Sequence, residues 1–259
     1  MQPILNELIC GDNIKVLKGF ESNCIDLTVT SPPYDGLRDY NGYSFDFENL
    51  TKELYRITKD GGIIVWVVGD AVIKGSESGT SFKQALHFKE IGFRLHDTMI
   101  YQKETLSFPA NNRYQQCFEY MFVFSKGKPN TFNPIIDHVN CVDTHKGGKI
   151  RKEKQKDGTM KEMIRPEPRK MSNRWNIWRI QNGYLRNTKD KIAYKHPAIF
   201  PESLAHDHII SWSNKGDVIL DPFVGSGTTC KMAKQLGRNY IGIDISQEYI
   251  DIAKERLNI

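Results

Sequence analysis

Two kinds of apolar pattern predict strands in this chain. Residues 25–29, IDLTV, alternate apolar and polar side chains, which is typical of a strand with one buried face. Residues 63–68, IIVWVV, are apolar throughout and mostly β-branched, as expected for a strand buried on both faces of a parallel sheet. Further strands are predicted at residues 8–10, 93–102, 118–124, 217–220 and 239–244.

Helical spacing appears between these strands. Phe47, Leu50, Leu54 and Ile57 recur at intervals of three or four residues, so they mark one face of a helix. Later helices are predicted to begin at Pro201, after the glycine-rich turn at 225–227, and after Ser246.

The order of these elements predicts the fold class. From residue 217 onward, strand, helix, strand and helix follow one another, which requires a parallel pair with a right-handed crossover. We therefore predict an α/β fold: a Rossmann-like, doubly wound, mostly parallel sheet. Residues 93–102 and 118–124 are expected to form an antiparallel hairpin at one edge of that sheet.

A stiff turn follows the strand at residues 25–29. Thr30 and Ser31 lead into Pro32 and Pro33, which cannot donate to a strand ladder, so the strand must end there. The turn fixes the Ser31 hydroxyl, a proline carbonyl and the Tyr34 ring in space. On this motif alone, a Pro-Pro loop with a packing tyrosine is the alternative. The neighbouring residues 35–43 are either a flap over a site or an ordinary surface loop.

A second turn, Gly225-Ser226-Gly227, lies between a predicted strand and a helix. Glycines there let the backbone approach a ligand, and Asp244, 19 residues after Gly225, stands where an acid commonly accepts ribose hydroxyls. A nucleoside-bearing cofactor is therefore expected. Cys230 replaces the third glycine of a dinucleotide motif, and no Walker lysine follows. We expect the two turns to meet at one rim of the sheet.

The charge distribution adds a candidate partner. The chain has 259 residues and a net charge of +5, but residues 146–195 carry 16 Lys and Arg against 5 Asp and Glu. Concentrated positive charge suits a polyphosphate partner, although a solvated, flexible loop is the alternative. Residues 146–161 lack periodicity and are expected to be mobile. Residues 171–179 mix cations with tryptophans, which either contact nucleic acid or anchor this segment to the body.

Other classes of protein are disfavoured by the sequence. Five scattered cysteines without CxxC spacing indicate reduced thiols in a cytosolic protein and no metal site. No apolar run of about 18 residues is present and residues 1–7 do not resemble a secretory signal, so no membrane segment is expected.

The motifs together resemble a known family. TSPPY at 30–34 and DPFVGSGTT at 221–229 resemble the S-adenosylmethionine-dependent DNA amino-methyltransferases. Residues 11–17, 47–68, 112–128 and 196–202 are similar to other segments of that family. The order resembles its circularly permuted β-class arrangement. It implies a catalytic part at 1–129, a target-recognition insertion at 130–192 and a cofactor-binding part at 193–259.

The resemblance implies roles for individual residues. Ser31, Pro32, Pro33 and Tyr34 would be catalytic. Residues expected to bind S-adenosyl-L-methionine are Asp12, Thr30, His196, Pro197, Phe200, Asp221, Pro222, Phe223, Gly225, Gly227, Thr228, Thr229 and Asp244. Predicted DNA contacts are Arg38, Lys149, Arg151, Lys152, Arg165, Arg169, Lys170, Arg174, Trp175 and Arg179.

The implied reaction is methylation of an exocyclic amine in DNA. The Ser31 hydroxyl and the Pro32 carbonyl would accept hydrogen bonds from the amine of a flipped base, and Tyr34 would stack on that base. A serine before Pro-Pro-Tyr is more usual in cytosine-N4 enzymes, so cytosine N4 is favoured over adenine N6. Cytosine-C5 chemistry is disfavoured because no cysteine follows a proline.

Several alternatives stay open at this point. They are a non-catalytic DNA-binding protein of the same fold, a methyltransferase of RNA or of protein glutamine, and a nicotinamide oxidoreductase. The family implies a cytoplasmic enzyme of a restriction-modification system. A separately acting cognate endonuclease and a homodimer are open as partners.

Overall fold

The computed structural model describes residues 2–33, 46–104, 112–140, 150–164 and 169–259. They form two compact units. The larger unit comprises the described residues of Met1–Asn133 and Asn176–Ile259, and the smaller one those of Pro134–Trp175. Four described cysteines, Cys10, Cys24, Cys117 and Cys230, are free thiols. None of the helices in the described ranges has the length and apolarity needed to cross a membrane.

Strands and helices alternate through the larger unit. The strands are β1 (Glu7–Cys10), β2 (Ile25–Thr30), β3 (Thr58–Val68), β4 (Val72–Ile73), β5 (Ser76–Glu77), β6 (Arg94–Lys103), β7 (Phe118–Ser125), β8 (Ile136–Val139), β9 (Ile150–Lys154), β10 (Met160–Ile164), β11 (Met171–Asn173), β12 (Ile177–Ile180), β13 (Val218–Asp221) and β14 (Asn239–Asp244). The helices are α1 (Asn13–Lys18), α2 (Phe47–Ile57), α3 (Thr80–Glu90), α4 (Glu202–Trp212), α5 (Thr228–Gln235) and α6 (Gln247–Leu257), with a 3-10 helix at Lys191–Lys195.

Eight strands form one large sheet in the order β1-β14-β13-β2-β3-β7-β6-β12. All neighbouring pairs from β1 to β3 are parallel, whereas β7 runs antiparallel to both β3 and β6. The predicted α/β class with a mostly parallel sheet is therefore confirmed. The two strands from the amino-terminal part, β1 and β2, are separated by β13 and β14 from the carboxyl-terminal part.

The predicted hairpin of β6 and β7 is present, but its place at the sheet edge was wrong. Strand β12 pairs in parallel with β6 and forms the edge instead. Trp178 and Ile180 of this short strand are buried, and the Trp178 ring stacks on His208 with centroids 4.5 Å apart. Four residues inside a basic segment give too short an apolar pattern to predict this strand.

The apolar patterns correctly located the core. All six residues from Ile63 to Val68 are buried, as expected for a strand covered on both faces. On α2 the predicted face packs inward: Leu50, Leu54 and Ile57 are fully buried. The Trp66 ring lies 5.1 Å from Phe88 of α3, so strand and helices share one aromatic cluster. This core supports the sheet rim that carries the two turns.

The smaller unit consists of two short antiparallel pairs, β8 with β11 and β9 with β10. The expectation that residues 146–161 are mobile was wrong for the described positions 150–161. Met160 pairs with Lys154 across the β9–β10 hairpin. This unit is also shorter than the expected insertion at 130–192, because residues 176–192 belong to the larger unit.

Candidate active site

The two predicted turns meet at one rim of the large sheet. Strands β2 and β13 are parallel neighbours, with Leu27 opposite Ile219 and Thr28 opposite Leu220. Their carboxyl ends therefore lie side by side. The Thr30 hydroxyl donates to Asp221 Oδ1 at 2.7 Å, which joins the proline turn to the glycine-rich turn.

Both turns line a cavity of about 1110 Å³. Its volume is at the upper end of the range of about 300–1,000 Å³ that is typical of small-molecule sites, so it has room for more than one ligand. Twelve of the predicted site residues line it: Ser31, Pro32, Pro33, His196, Pro197, Phe200, Asp221, Pro222, Phe223, Gly225, Thr228 and Asp244.

Four other predicted cofactor residues lie outside the cavity lining. Asp12 caps α1 by accepting the Lys15 amide at 2.9 Å, and Thr30 supports Asp221. Thr229 donates to the Val29 carbonyl at 3.2 Å. A Cβ on Gly227 would stand 2.7 Å from the Ala253 Cβ, so this glycine allows α6 to pack closely. The motif places these residues correctly along the chain, but their contacts here are with the protein.

Asp221 is a buried acid at the centre of the rim. Besides Thr30, the Phe223 amide donates to its Oδ1, at 3.1 Å. Burial raises the pKa of Asp221 to about 6, although the hydrogen bond from Thr30 acts in the opposite direction. The site therefore contains a carboxyl group that changes its charge near neutral pH.

The glycine-rich turn is shaped by close contacts. Gly225 has φ of +47°, and a Cβ there would stand 2.9 Å from His196 Nε2. The His196 ring in turn lies against Tyr249 of α6, with centroids 4.3 Å apart. Cys230, which replaces a third glycine, is fully buried. Only glycine fits at position 225 without moving the histidine.

Asp244 closes β14 beside this turn. Its carboxylate accepts the Gly225 amide at 2.9 Å and the Ser246 amide at 3.0 Å. A carboxylate offers about four acceptor positions, so it can accept further donors from a ligand. Burial raises the pKa of Asp244, while backbone amides, that of Ser246 first, act in the opposite direction. The arrangement matches what the sequence predicted for a ribose-binding acid.

Several lining residues had no signal in the sequence. Tyr101 and Glu119 are opposite one another on β6 and β7, and Lys103 Nζ lies 2.5 Å from Glu119 Oε1. Burial, followed by the charge of Glu119, raises the pKa of Tyr101, so its phenol stays protonated. Asn13 donates to the Pro222 carbonyl at 3.2 Å. These residues are distant in sequence from both turns, and sheet pairing brings them to the cavity.

The predicted DNA contacts are placed in both units. Arg169, Lys170, Arg174 and Trp175 belong to the smaller unit, as does Lys152, whose Nζ lies 3.5 Å from Glu162. Arg174 Nε donates to Asp137 at 2.8 Å, and the exposed Trp175 ring lies 4.1 Å from His138. Arg179 belongs to the larger unit. Tyr34, Arg38, Lys149, Arg165 and the side chain of Arg151 lie outside the described residues.

A search for metal-binding groups gave none in the described ranges. No group of three or more His, Cys, Asp or Glu side chains there is arranged to hold a metal ion.

Comparison with known proteins identifies the family. Residues 25–255 match the N6/N4 methyltransferase family model, described as DNA methylase. The chain is 60% identical over 244 residues to the orphan methyltransferase M.BamHII of Bacillus amyloliquefaciens, covering 90% of this chain and 88% of that protein. It is 31% identical to the type II methyltransferase M.HpaI of Haemophilus parainfluenzae, covering 97% and 74%.

Solved structures share the fold. The cytosine-N4-specific PvuII DNA methyltransferase superposes with a TM-score of 0.67 at 22% identity, covering 96% of this chain and 85% of that one. A putative DNA modification methylase of Thermus thermophilus, complexed with S-adenosyl-L-methionine, gives a TM-score of 0.65 at 24% identity, covering 97% and 92%. Because the family model spans nearly the whole chain and both cavity turns carry its motifs, this protein belongs to the S-adenosylmethionine-dependent N6/N4 DNA methyltransferases.

Proposed function

We propose that this DNA methyltransferase transfers the methyl group of S-adenosyl-L-methionine to the exocyclic amine of a flipped base, cytosine N4 in the first place. The meeting of the proline turn and the glycine-rich turn in one cavity carries this proposal. Such a reaction needs a methyl donor and an amine held side by side. Two turns at the ends of neighbouring parallel strands can hold one each.

The cofactor would occupy the half of the cavity formed by the glycine-rich turn. Asp244 would accept the ribose hydroxyls, and Gly225 gives the ligand close access to the backbone. Phe223, His196 and Phe200, which also line the cavity, would enclose the rest of the cofactor. The cofactor supplies a methyl group on a positively charged sulfur, and Asp221 would provide an acidic wall near it.

The amine would be held by the proline turn. An exocyclic amine is a weak nucleophile because its lone pair is delocalised into the ring. Hydrogen bonds from its N–H groups to the Ser31 hydroxyl and the Pro32 carbonyl would favour a pyramidal nitrogen with its lone pair directed at the methyl group. Holding reactants in line contributes about 7–11 kcal/mol, so no covalent enzyme intermediate is required.

The base must leave the duplex to reach this cavity. Tyr34 follows Pro33 directly and is proposed to stack on the extruded ring. The polar wall of Lys103 and Glu119 gives the cavity side chains that can donate to or accept from a base edge. Cytosine N4 is favoured because serine precedes the Pro-Pro-Tyr motif. Adenine N6 is the alternative substrate.

DNA recognition is proposed for the segment at 130–192, which contains the whole smaller unit. Its exposed strands β9 and β10 alternate cations with acids, and Lys152, Lys154 and Lys161 stand on them. Lysines of this kind contact phosphates and supply affinity without sequence preference. Arg174 and Trp175 are candidates for base contacts, because arginine reads guanine and tryptophan stacks.

The biological setting is proposed from the relatives. One relative is named an orphan methyltransferase and another a type II methyltransferase. A restriction-modification role, a separately acting endonuclease, a homodimer and a cytoplasmic location therefore stay predictions. Deleting the gene and digesting host DNA with restriction enzymes that are blocked by methylation would test the first of them.

Nucleoside analysis tests the proposed reaction. Purified protein would be incubated with methyl-labelled S-adenosyl-L-methionine and DNA from a methylation-deficient host, and the digested nucleosides separated by mass spectrometry. We expect labelled N4-methylcytosine. Labelled N6-methyladenine would identify the alternative substrate, whereas DNA binding without transfer of label would favour a non-catalytic DNA-binding protein and overturn the proposal.

A further inference from the structure

A cluster of four charged side chains lies behind the glycine-rich turn. The Arg256 side chain is fully buried, and its Nε donates to Asp190 Oδ2 at 3.0 Å while Nη2 donates to Glu202 Oε1 at 2.8 Å. Lys231 Nζ donates to the same two oxygens, at 2.6 and 2.7 Å. Two cations and two carboxylates balance, which makes burial of the guanidinium tolerable.

Arg256 also binds the glycine-rich turn directly. Its Nη1 donates to the Ser226 carbonyl at 2.7 Å and to Thr228 Oγ1 at 3.0 Å. Ser226 and Thr228 both line the cavity. A guanidinium is planar and rigid, so binding at Nη1 and Nε together fixes the turn relative to the carboxylates.

The two carboxylates belong to the opposite wall of the cavity. Asp190 and Glu202 stand on either side of the segment 191–201, which carries His196 and Phe200. This segment already contacts the turn, since a Cβ on Gly225 would stand 2.9 Å from His196 Nε2. Burial acts to raise the pKa of Asp190, but the hydrogen bonds from Lys231 and Arg256 outweigh burial and lower that pKa. Asp190 is therefore ionised when it binds both cations.

We infer that Arg256 is a positioning residue for the methyl donor: it fixes the spacing between the His196 segment and the glycine-rich turn. This inference rests on the proposed use of S-adenosyl-L-methionine. Arg256 is absent from the cavity lining, so its effect on the cofactor passes through Ser226 and the carboxylates. The guanidinium is the part that a lysine cannot replace, because a single nitrogen cannot reach both walls.

The test measures cofactor affinity and DNA affinity separately. Arg256→Lys keeps the charge and loses the fork, and Glu202→Gln keeps the shape of the carboxylate and loses its charge. Arg56→Lys is the matched control, because Arg56 also binds backbone carbonyls, those of Phe20 and Leu17 at 2.8 and 2.7 Å, away from the cavity. The dissociation constant of S-adenosyl-L-methionine is measured by calorimetry, the KM for DNA by methyl transfer, and folding by urea denaturation.

We expect both cavity-side variants to weaken S-adenosyl-L-methionine binding by about tenfold or more, as misplaced binding groups do. The KM for DNA and the affinity of Arg56→Lys should stay near wild type. Loss of folded protein alone lowers the number of binding sites but leaves the dissociation constant unchanged. If Arg256→Lys does not fold, Glu202→Gln decides.

Wild-type affinity in the folded variants would overturn the positioning role while leaving the proposed function intact. If the wild-type protein bound no S-adenosyl-L-methionine, the proposed function would fail first and the inference with it.

Discussion

Thr30 and Asp221 are 191 residues apart in the chain, and their side chains are joined by a hydrogen bond of 2.7 Å. Thr30 immediately precedes the proline turn, and Asp221 begins the glycine-rich turn. The bond therefore connects the part of the cavity proposed for the amine with the part proposed for the methyl donor. Changes on either side of it should separate the effects on binding, catalysis and stability.

Replacing Ser31 with alanine should lower the rate of methyl transfer and leave cofactor binding unchanged. The proposed hydrogen bond to the target amine is worth about 1–3 kcal/mol, or roughly 5- to 150-fold in kcat/KM. Ser22→Ala, at an exposed position on the surface, is the control. Steady-state kinetics with labelled cofactor would measure the effect, and an unchanged kcat/KM would contradict the role of Ser31.

Replacing Tyr34 with alanine should reduce turnover much more than cofactor affinity. Stacking on a base contributes about 1–3 kcal/mol, and this contribution would be lost. Tyr114→Ala is a suitable control, because that ring is 99% exposed. A fluorescent base analogue at the target position would report extrusion of the base directly. Normal extrusion and normal turnover in Tyr34→Ala would show that this ring has another role.

Asp221→Asn should make the protein more stable at neutral pH and less active. Burial raises the pKa of Asp221 from 3.8 to about 6, so its protonated form supports the fold below pH 3.8 and this support is lost as pH rises through about 6. The difference corresponds to about 3 kcal/mol at most. An asparagine oxygen can still accept from Thr30 and Phe223.

Urea denaturation across this pH range would measure the effect on stability. The variant should lack the decrease in unfolding free energy that the wild type has between acid and neutral pH. Asp251→Asn, at an exposed position, should keep the wild-type dependence. The same dependence in Asp221→Asn would mean that Asp221 titrates at its ordinary pKa.

Gly227→Ala should destabilise the protein more than Gly216→Ala does. Both glycines have positive φ, +82° and +86°, so both substitutions carry backbone strain of about 1–2 kcal/mol. A Cβ at 216 meets open space, whereas a Cβ at 227 would stand 2.7 Å from that of Ala253. Overpacking adds about 1–3 kcal/mol, which urea denaturation can detect. Equal losses in the two variants would show that α6 moves away freely.

Removing Lys152 and Lys170 together should reduce the salt dependence of DNA binding. Each phosphate contact contributes about 0.9 to the slope of log K against log salt, so the slope should fall by about 1.8. A charge-matched control is Lys52→Ala with Lys89→Ala, at exposed positions on α2 and α3. Fluorescence anisotropy at several salt concentrations would measure the slopes. Equal slopes for the two double variants would count against a DNA contact at Lys152 and Lys170.

Local patterns were sufficient for most of the larger unit. The strand ending at Thr30 and the strand at Asn239–Asp244 were predicted from apolar alternation, and the face of α2 from helical spacing. Short turns with prolines or glycines also fixed where ligand groups could stand. Their meeting followed from the rule that parallel strands end at the same rim.

What could not be predicted depends on contacts between distant segments. Strand β12 has only four residues, and its burial is decided by pairing with β6. Arg256 resembles any basic residue near the end of a surface helix, yet its side chain is fully buried among Asp190, Glu202 and Ser226. Tyr101 and Glu119 have no motif, and cross-strand register brings them to the cavity.

The position of β13 and β14 between β1 and β2 has a consequence for biosynthesis. A growing polypeptide on the ribosome carries β2 long before its neighbour β13 exists, so that side of β2 waits without a hydrogen-bonding partner. Contacts that span such long stretches of sequence also form slowly. Nascent chains should therefore depend on chaperones until residues 218–244 emerge, and premature termination before them would leave an aggregation-prone fragment without a methyl-donor site.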